Sequence, residues 1–217
     1  MNVDGEKFLQ KYLKSNGFPI LTVERSGTNS LKITQRAFNA DLDDDSPLSD
    51  PWIIQVPYFS SNNRRGVAVL DQPSKTVTLN YELAADEWYK LNEGSTGYYV
   101  VNYDDWTKLI RQLTQKATDI PVRDRANLLF DAGLLSEKTL MNYETLFSLI
   151  DYIKNEEEYL PWSVVNTVLS SLESKLTSIG SASIVQFRAY IHTLIDSIYD
   201  LKVDFAADSS TLSYDRL

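Results

Sequence analysis

Residues 88–106 read WYKLNEGSTGYYVVNYDDW, and within this one window the period of the apolar positions changes from that of a strand to that of a helix. Residues 88–92 have the aromatic and aliphatic content of a strand, and residues 98–103 form a second, rich in Tyr and Val. Between them Gly94 and Gly97 stand where the chain must reverse with positive φ, so the window predicts a β-hairpin. Asp104 or Asp105 then offers an N-cap oxygen, and Trp106, Leu109, Ile110 and Leu113 recur at i, i+3, i+4 and i+7. A sheet hands over to helices here.

Upstream, Phe8, Leu9, Tyr12 and Leu13 lie at helical spacing in residues 4–15, with Gly17 as a stop. From residue 18 to residue 103 the pattern is β. Strands are expected at 19–23, in a run containing Leu31, Ile33 and Phe38, at 52–60, at 66–70 and at 77–83, the last two joined through Asp71-Gln72-Pro73-Ser74. Short strands separated by turn signals predict a small β-sandwich. Beyond residue 104 helices are expected at 105–115, 121–137, 143–155, 161–178 and 183–202. Pro121 and Pro161 stand in first turns, where a missing N–H costs nothing. Helix pairs of similar length fit an α-solenoid segment of the armadillo/HEAT-like kind. The fold class is therefore two-domain, all-β then all-α. Its expected parts are a terminal helix over 1–17, a sandwich over 18–103 and a helical solenoid over 104–217.

A length of 217 residues with 43% hydrophobic and 24% charged positions is enough for a sizeable core. The formal charge of -9 and pI near 4.7 argue against nucleic acid or an anionic membrane as partner, since both need a basic surface. With no cysteine there is neither a disulfide scaffold nor a thiolate metal site. No apolar run is long enough to span a bilayer. Composition leaves a cytoplasmic protein and the ectodomain of a membrane-anchored parent equally open.

Candidate chemistry is sparse. His192 is the one histidine, with no second imidazole or thiolate to join it, and a helical histidine that binds nothing is the better reading. The acidic run Asp41-Leu42-Asp43-Asp44-Asp45-Ser46 lacks the glycine and the closing Glu of an EF-hand loop and reads as a solvated loop. Glu156-Glu157-Glu158 could hold a peptide's amino terminus, but it precedes Pro161, where carboxylates favour the first turn of the next helix. No G-x-S-x-G elbow or P-loop occurs. Asn62-Asn63-Arg64-Arg65 reads as a solubilising turn tip. Arg125 has two readings: a guanidinium bonding carbonyls or a carboxylate across the junction between domains, or a contact to the carboxyl end of a substrate. The free carbonyls near a helix starting at Pro121 favour the first. Trp88, Trp106 and Trp162 read as packing anchors. No catalytic, metal-ligating or cofactor-binding residue is assigned.

Several blocks together resemble the gluzincin zinc aminopeptidases, the family of aminopeptidase N and puromycin-sensitive aminopeptidase. Trp88, Lys90, Asn92, Gly97, Tyr98, Tyr99, Val101, Tyr103 and Asp104 match the pattern W-x-K-x-N-x-x-x-x-G-Y-Y-x-V-x-Y-D. Asp124-Arg125-Ala126-x-Leu128 is similar to N-R-A-x-L, and Asn142-Tyr143 through Pro161-Trp162 is similar to N-Y-x-x-A-L…Y-L-x-x-E-x-E-Y-x-P-W. Upstream, residues 12–23 (YLKSNGFPILTV) and 52–57 (WIIQVP) resemble the blocks W-T-x-Q-x-G-Y-P-V-x-x-V and W-x-I-P-x. The departures are Tyr12 for Trp, Gly133 for Phe and Thr139 for Gly. An aromatic replaced by glycine within a helix is expected to cost propensity and packing.

The resemblance implies a fragment holding the end of a catalytic domain, the whole sandwich and the start of a C-terminal helical domain. It implies a parent that removes residues from peptide N-termini with zinc held by H-E-x-x-H and a later Glu upstream of these residues, and no cofactor in this chain. The sandwich would be a spacer between domains. The helices would form part of the wall over the peptide cleft, with peptide and the parent's own catalytic domain as partners. An alternative is a peptide- or protein-binding module of a catalytically inactive homologue. Ile184, Phe187, Ile191, Leu194, Ile195, Ile198 and Leu201 share one face of the last helix, so self-association through that face is expected of the isolated chain.

Overall fold

Strand β1 (Pro19–Arg25) pairs antiparallel with β2 (Ser30–Ala37), whose Leu31, Ile33 and Gln35 turn inward while Lys32 and Thr34 face solvent. In the computed structural model, which describes residues 5–15, 17–39 and 48–202, seven strands form two sheets among the described residues. The four-stranded sheet has the order β5-β2-β1-β7, with β5 at Ser74–Thr78 and β7 at Val100–Tyr103. The three-stranded sheet has the order β4-β3-β6, with β3 at Ile54–Ser60, β4 at Arg65–Leu70 and β6 at Tyr89–Leu91. Both send apolar side chains into one core: Ile20, Leu31 and Ile33 from the first, Val56 and Leu70 from the second. Buried Gln35 ties them by taking the Trp52 N–H at 2.9 Å and donating to the Trp52 and Gln72 carbonyls.

The one strand pairing expected from the sequence does not form. The predicted hairpin of 88–92 with 98–103 is replaced by a crossover: β6 pairs antiparallel with β3, whereas β7 pairs parallel with β1 in the other sheet, Ile20 opposite Val100 and Val23 opposite Tyr103. The turn does reverse with positive φ, but at Asn92 (61°), Gly94 (69°) and Ser95 (54°) rather than at Gly97. Asn92 closes it by accepting from the Gly97 N–H and donating to the Gly97 carbonyl. Periodicity reports which faces are buried, not which edge a strand joins, and β7 is buried on both faces. The strands joined through Asp71-Gln72-Pro73-Ser74, β4 and β5, lie in different sheets. The strand expected at 77–83 lies at Ser74–Thr78, because Pro73 turns the chain into the other sheet and its carbonyl accepts the Gln35 N–H. Leu79 and Leu83 are buried beyond the strand, their amides bonded to the Asn29 and Thr28 carbonyls.

The helices follow the predicted order. They are α1 (Gly5–Lys14), α2 (Thr107–Lys116), α3 (Val122–Glu137), α4 (Tyr143–Ile150), α5 (Tyr159–Ser178) and α6 (Ile184–Lys202). Asp105 accepts the Thr107 N–H at the start of α2, and Asn142 caps α4 through the Thr145 N–H. The helix expected over 143–155 ends at Ile150 and continues as a 3-10 turn to Asn155. Pro121 is the N-cap residue of α3, and Pro161 stands in the first turn of α5. Helix α3 is buried nearly all round, as befits a central element. Its Gly133 answers the expected packing loss: a Cβ there would stand 2.7 Å from Val168 Cγ2, so the missing side chain lets α5 approach. One apolar core runs from Ile20 in the sheets to Leu194 in α6. The acidic run 41–46 and residues 203–217 lie outside the described residues.

Candidate functional site

Among the described residues, all the buried charged side chains but Glu87 lie on α3 or against it, on two sides. On the side of the sheets, Lys90 of β6 is fully buried and its ammonium reaches Asp124 Oδ1 at 2.9 Å, Asn127 Oδ1 at 2.9 Å, and the carbonyls of Leu91 and Asn92 at 2.9 and 3.2 Å. Asp124 also accepts the Gly94 N–H at 2.9 Å, which fixes the crossover turn to the start of α3. One turn on, Asn127 donates to Asp131 Oδ1 at 3.1 Å, and Asp131 Oδ2 accepts the Val101 N–H at 3.0 Å. Tyr103 completes this side by accepting the Leu91 N–H at 3.0 Å. Burial pushes the Lys90 ammonium below its ordinary pKa, against the pull of Asp124. Burial raises the Asp131 carboxyl to about 7, against the attraction of Lys90 and its two hydrogen bonds.

On the opposite side, Arg125 makes a bidentate pair with Glu156, Nε to Oε2 at 2.6 Å and Nη2 to Oε1 at 2.8 Å. Its Nη1 donates to the Ile120 carbonyl at 2.7 Å. Glu156 Oε1 also accepts the amides of Glu157 and Glu158, and Oε2 the Tyr152 hydroxyl, so the corner between α4 and α5 is built around one carboxylate. Burial alone would raise Glu156, but the Arg125 guanidinium and those amides hold it below the usual carboxylate range. Arg125 therefore faces a partner within the helical part. Glu157 and Glu158 are exposed.

The remaining candidates stand apart. Exposed His192 lies on α6, and no group of three or more His, Cys, Asp or Glu among the described residues is placed to hold a metal ion. Zinc of the peptidase kind calls for paired imidazoles and a carboxylate, which these residues do not fit. Arg64 donates to the Glu82 carbonyl, and Arg65 pairs with Glu93 at 2.9 Å. Trp88 stacks edge-on with Phe59 and Trp106 edge-on with Tyr103, and the Trp162 indole donates to the Glu156 carbonyl. Asn127 and Asp131 escape the sequence reading. Their signal is a polar stripe at 124, 127 and 131, an i, i+3, i+7 spacing that continues into the apolar stretch 126–135 of the helix, facing a lysine at an apolar strand position.

Between α4, α5 and α6 lies an apolar hollow of about 590 Å³, walled chiefly by Tyr143, Phe147, Leu172, Leu176, Phe187 and Tyr190. On α6 the expected apolar face is uneven: Phe187 and Leu194 are buried, Ile195 is 37% exposed, and Val185, which lies off that face, is 72% exposed. The side chains of Ile198 and Leu201 are outside the description.

The crossover, α3 and the α4–α5 corner all fall within residues 88–216, the stretch that matches the ERAP1-like C-terminal domain. The chain belongs to that family. Similarity also extends into the sheets. Aminopeptidase N of Plutella xylostella is 29% identical over 201 residues, 88% of this chain and 21% of the relative. Glutamyl aminopeptidase of Mus musculus is 31% identical over 181 residues, covering 80% and 19%, and aminopeptidase Q of Homo sapiens is 31% identical over 179 residues, covering 79% and 18%. The resemblance to the gluzincin aminopeptidases thus holds over most of the chain, which spans about a fifth of the length of these relatives.

Proposed function

We propose that these residues are a non-catalytic segment of a zinc aminopeptidase that removes N-terminal residues from peptides. In this reading 1–17 end the catalytic domain, 18–103 are a sandwich that sets the angle between larger domains, and 104–217 begin a helical solenoid forming part of the wall over the peptide cleft. The carrying observation is the pair of ties on α3. A spacer that sets an angle has to transmit it, and a fully buried lysine bonded to Asp124 and Asn127 holds the crossover against the first long helix at 2.9 Å. Arg125 and Glu156 pass the constraint to the next helical corner. In this reading Arg125 works as a joint between elements, its substrate-facing role being set aside.

The chain's own residues bind no zinc in this picture. They position other parts of the parent, with the parent's own catalytic domain and its peptide substrate as partners. The isolated chain is expected to self-associate through the apolar hollow and α6, which sedimentation over a range of concentrations measures. The principal test is the coding sequence upstream of Met1 in its transcript. An intact H-E-x-x-H followed by a further Glu, with aminopeptidase turnover by the encoded protein, supports the reading. A degraded or absent motif overturns it in favour of a peptide- or protein-binding module of an inactive homologue.

A further inference from the structure

The seam on the sheet side of α3 does not balance its charge. Lys90, Asp124 and Asp131 are each 1% exposed or less, so one cation is enclosed with two carboxylates. Asp124 takes the direct ion pair at 2.9 Å, and Asp131 meets Lys90 only through the Asn127 amide. A buried carboxylate without its own counter-charge either takes up a proton or weakens what encloses it. We propose that this cluster is a proton-linked clasp between the crossover and α3: uptake of one proton by Asp131, the acid without a direct ion pair, tightens the grip, and its release loosens it. The inference concerns this chain alone and stands whatever the parent catalyses.

The surroundings of Asp131 support the assignment. From β6 it meets Lys90, from its own helix Asn127, and from β7 and the residue before it the phenols of Tyr103 and Tyr99 and the amide of Val101, while Asp124 shares Lys90 with it. Tyr12 of α1 acts on Tyr99, and Glu93 of the crossover acts on Lys90; among the described residues Lys90 is the cation that acts on Asp131. Both acids hold backbone, Asp124 at Gly94 and Asp131 at Val101. A change in charge is therefore felt by the main chain of the crossover and of β7. The acid's raised value, near 7, places the transition close to neutrality.

The test follows the Asp131 carboxyl by carbon-13 NMR across pH 4 to 9, with amide hydrogen exchange at Gly94 and Val101 corrected for intrinsic rate. Asp131→Asn assigns the resonance by its loss. If that variant does not fold, through-bond correlation from the Asp131 backbone in the wild-type chain assigns it instead. The expected result is a carboxyl that titrates near neutrality, with exchange at both amides several-fold faster once it is ionised, because the cost of the buried charge outweighs the stronger bond that an ionised oxygen offers the Val101 N–H. Titration in the ordinary range near 4 overturns the clasp, and so does titration near neutrality with unchanged exchange at the two amides.

Discussion

Helix α3 carries a buried ion pair on each side, and the two are built in opposite ways. Arg125 and Glu156 match one charge to one charge, in a bidentate geometry with every carboxylate oxygen bonded again by amides or a hydroxyl. Lys90 faces two acids and reaches the second only through an amide. The difference lies in what each joins. The arginine side connects helices to one another, where a planar fork meets a carboxylate at a corner. The lysine side connects a strand and a turn to a helix, where a single ammonium must also satisfy two main-chain carbonyls.

The strongest way to break the comparison is to remove each cation. Lys90→Met leaves Asp124 and Asp131 buried without a positive charge and should cost about 4–5 kcal/mol at pH 7, the upper end for a broken buried pair. The loss should shrink in acid, where Asp131 becomes neutral. Arg125→Met strands one carboxylate that keeps its two amide donors, so about 3 kcal/mol is expected. Urea unfolding of both variants and the wild type at pH 5 and pH 7 measures the two losses. Equal losses at both pH values for Lys90→Met would remove the distinction drawn here.

A finer cut is by pH. Glu156 has a depressed pKa in the folded chain, so its contribution is fully present above the unfolded value of about 4.3 and is lost as pH falls through the lower folded value. The raised Asp131 has the opposite sign: its contribution is present below about 4 and is lost as pH rises through about 7. Glu156→Gln should therefore cost about 2 kcal/mol at pH 7, and the gap to wild type should close progressively in acid below that range. Thermal unfolding in matched ionic strength from pH 3 to pH 8 follows it. A gap that stays constant with pH would mean that the pair contributes through shape rather than charge.

The two sides also differ in how far the sequence discloses them. Arg125 and Glu156 sit in the quoted blocks, and the corner before Pro161 is legible because proline and acidic residues mark a helix start. The order of the helices was likewise open to reading, since each shows its own apolar spacing and a local cap. The lysine seam was not. Lys90 belongs to an expected hairpin that does not exist, because the partner of β7 is β1, far away in the chain, and only a long-range pairing brings Val101 beside Asp131. Local periodicity carries no information on such a pairing. The same limit applies to β4 and β5, whose joining turn is legible in Asp71-Gln72-Pro73-Ser74 while the separate sheets that they join are not.

The smallest effect expected concerns the end of the shared helix. Thr139 follows α3 with φ +59°, a conformation that crowds a β-branched side chain. Glycine would relieve about 1–2 kcal/mol of that strain while adding about 0.5–1 kcal/mol of unfolded-chain entropy. The Thr139 hydroxyl bonds only its neighbour's carbonyl, Lys138, at an exposed site, so little else is lost. Thr139→Gly should thus stabilise the chain by about 0.5–1 kcal/mol. The substitution touches neither ion pair, so the gain should be the same at pH 5 and pH 8. A gain that varies with pH would show that the end of α3 communicates with one of its two sides, and the ties could then no longer be treated as independent joints on a rigid rod.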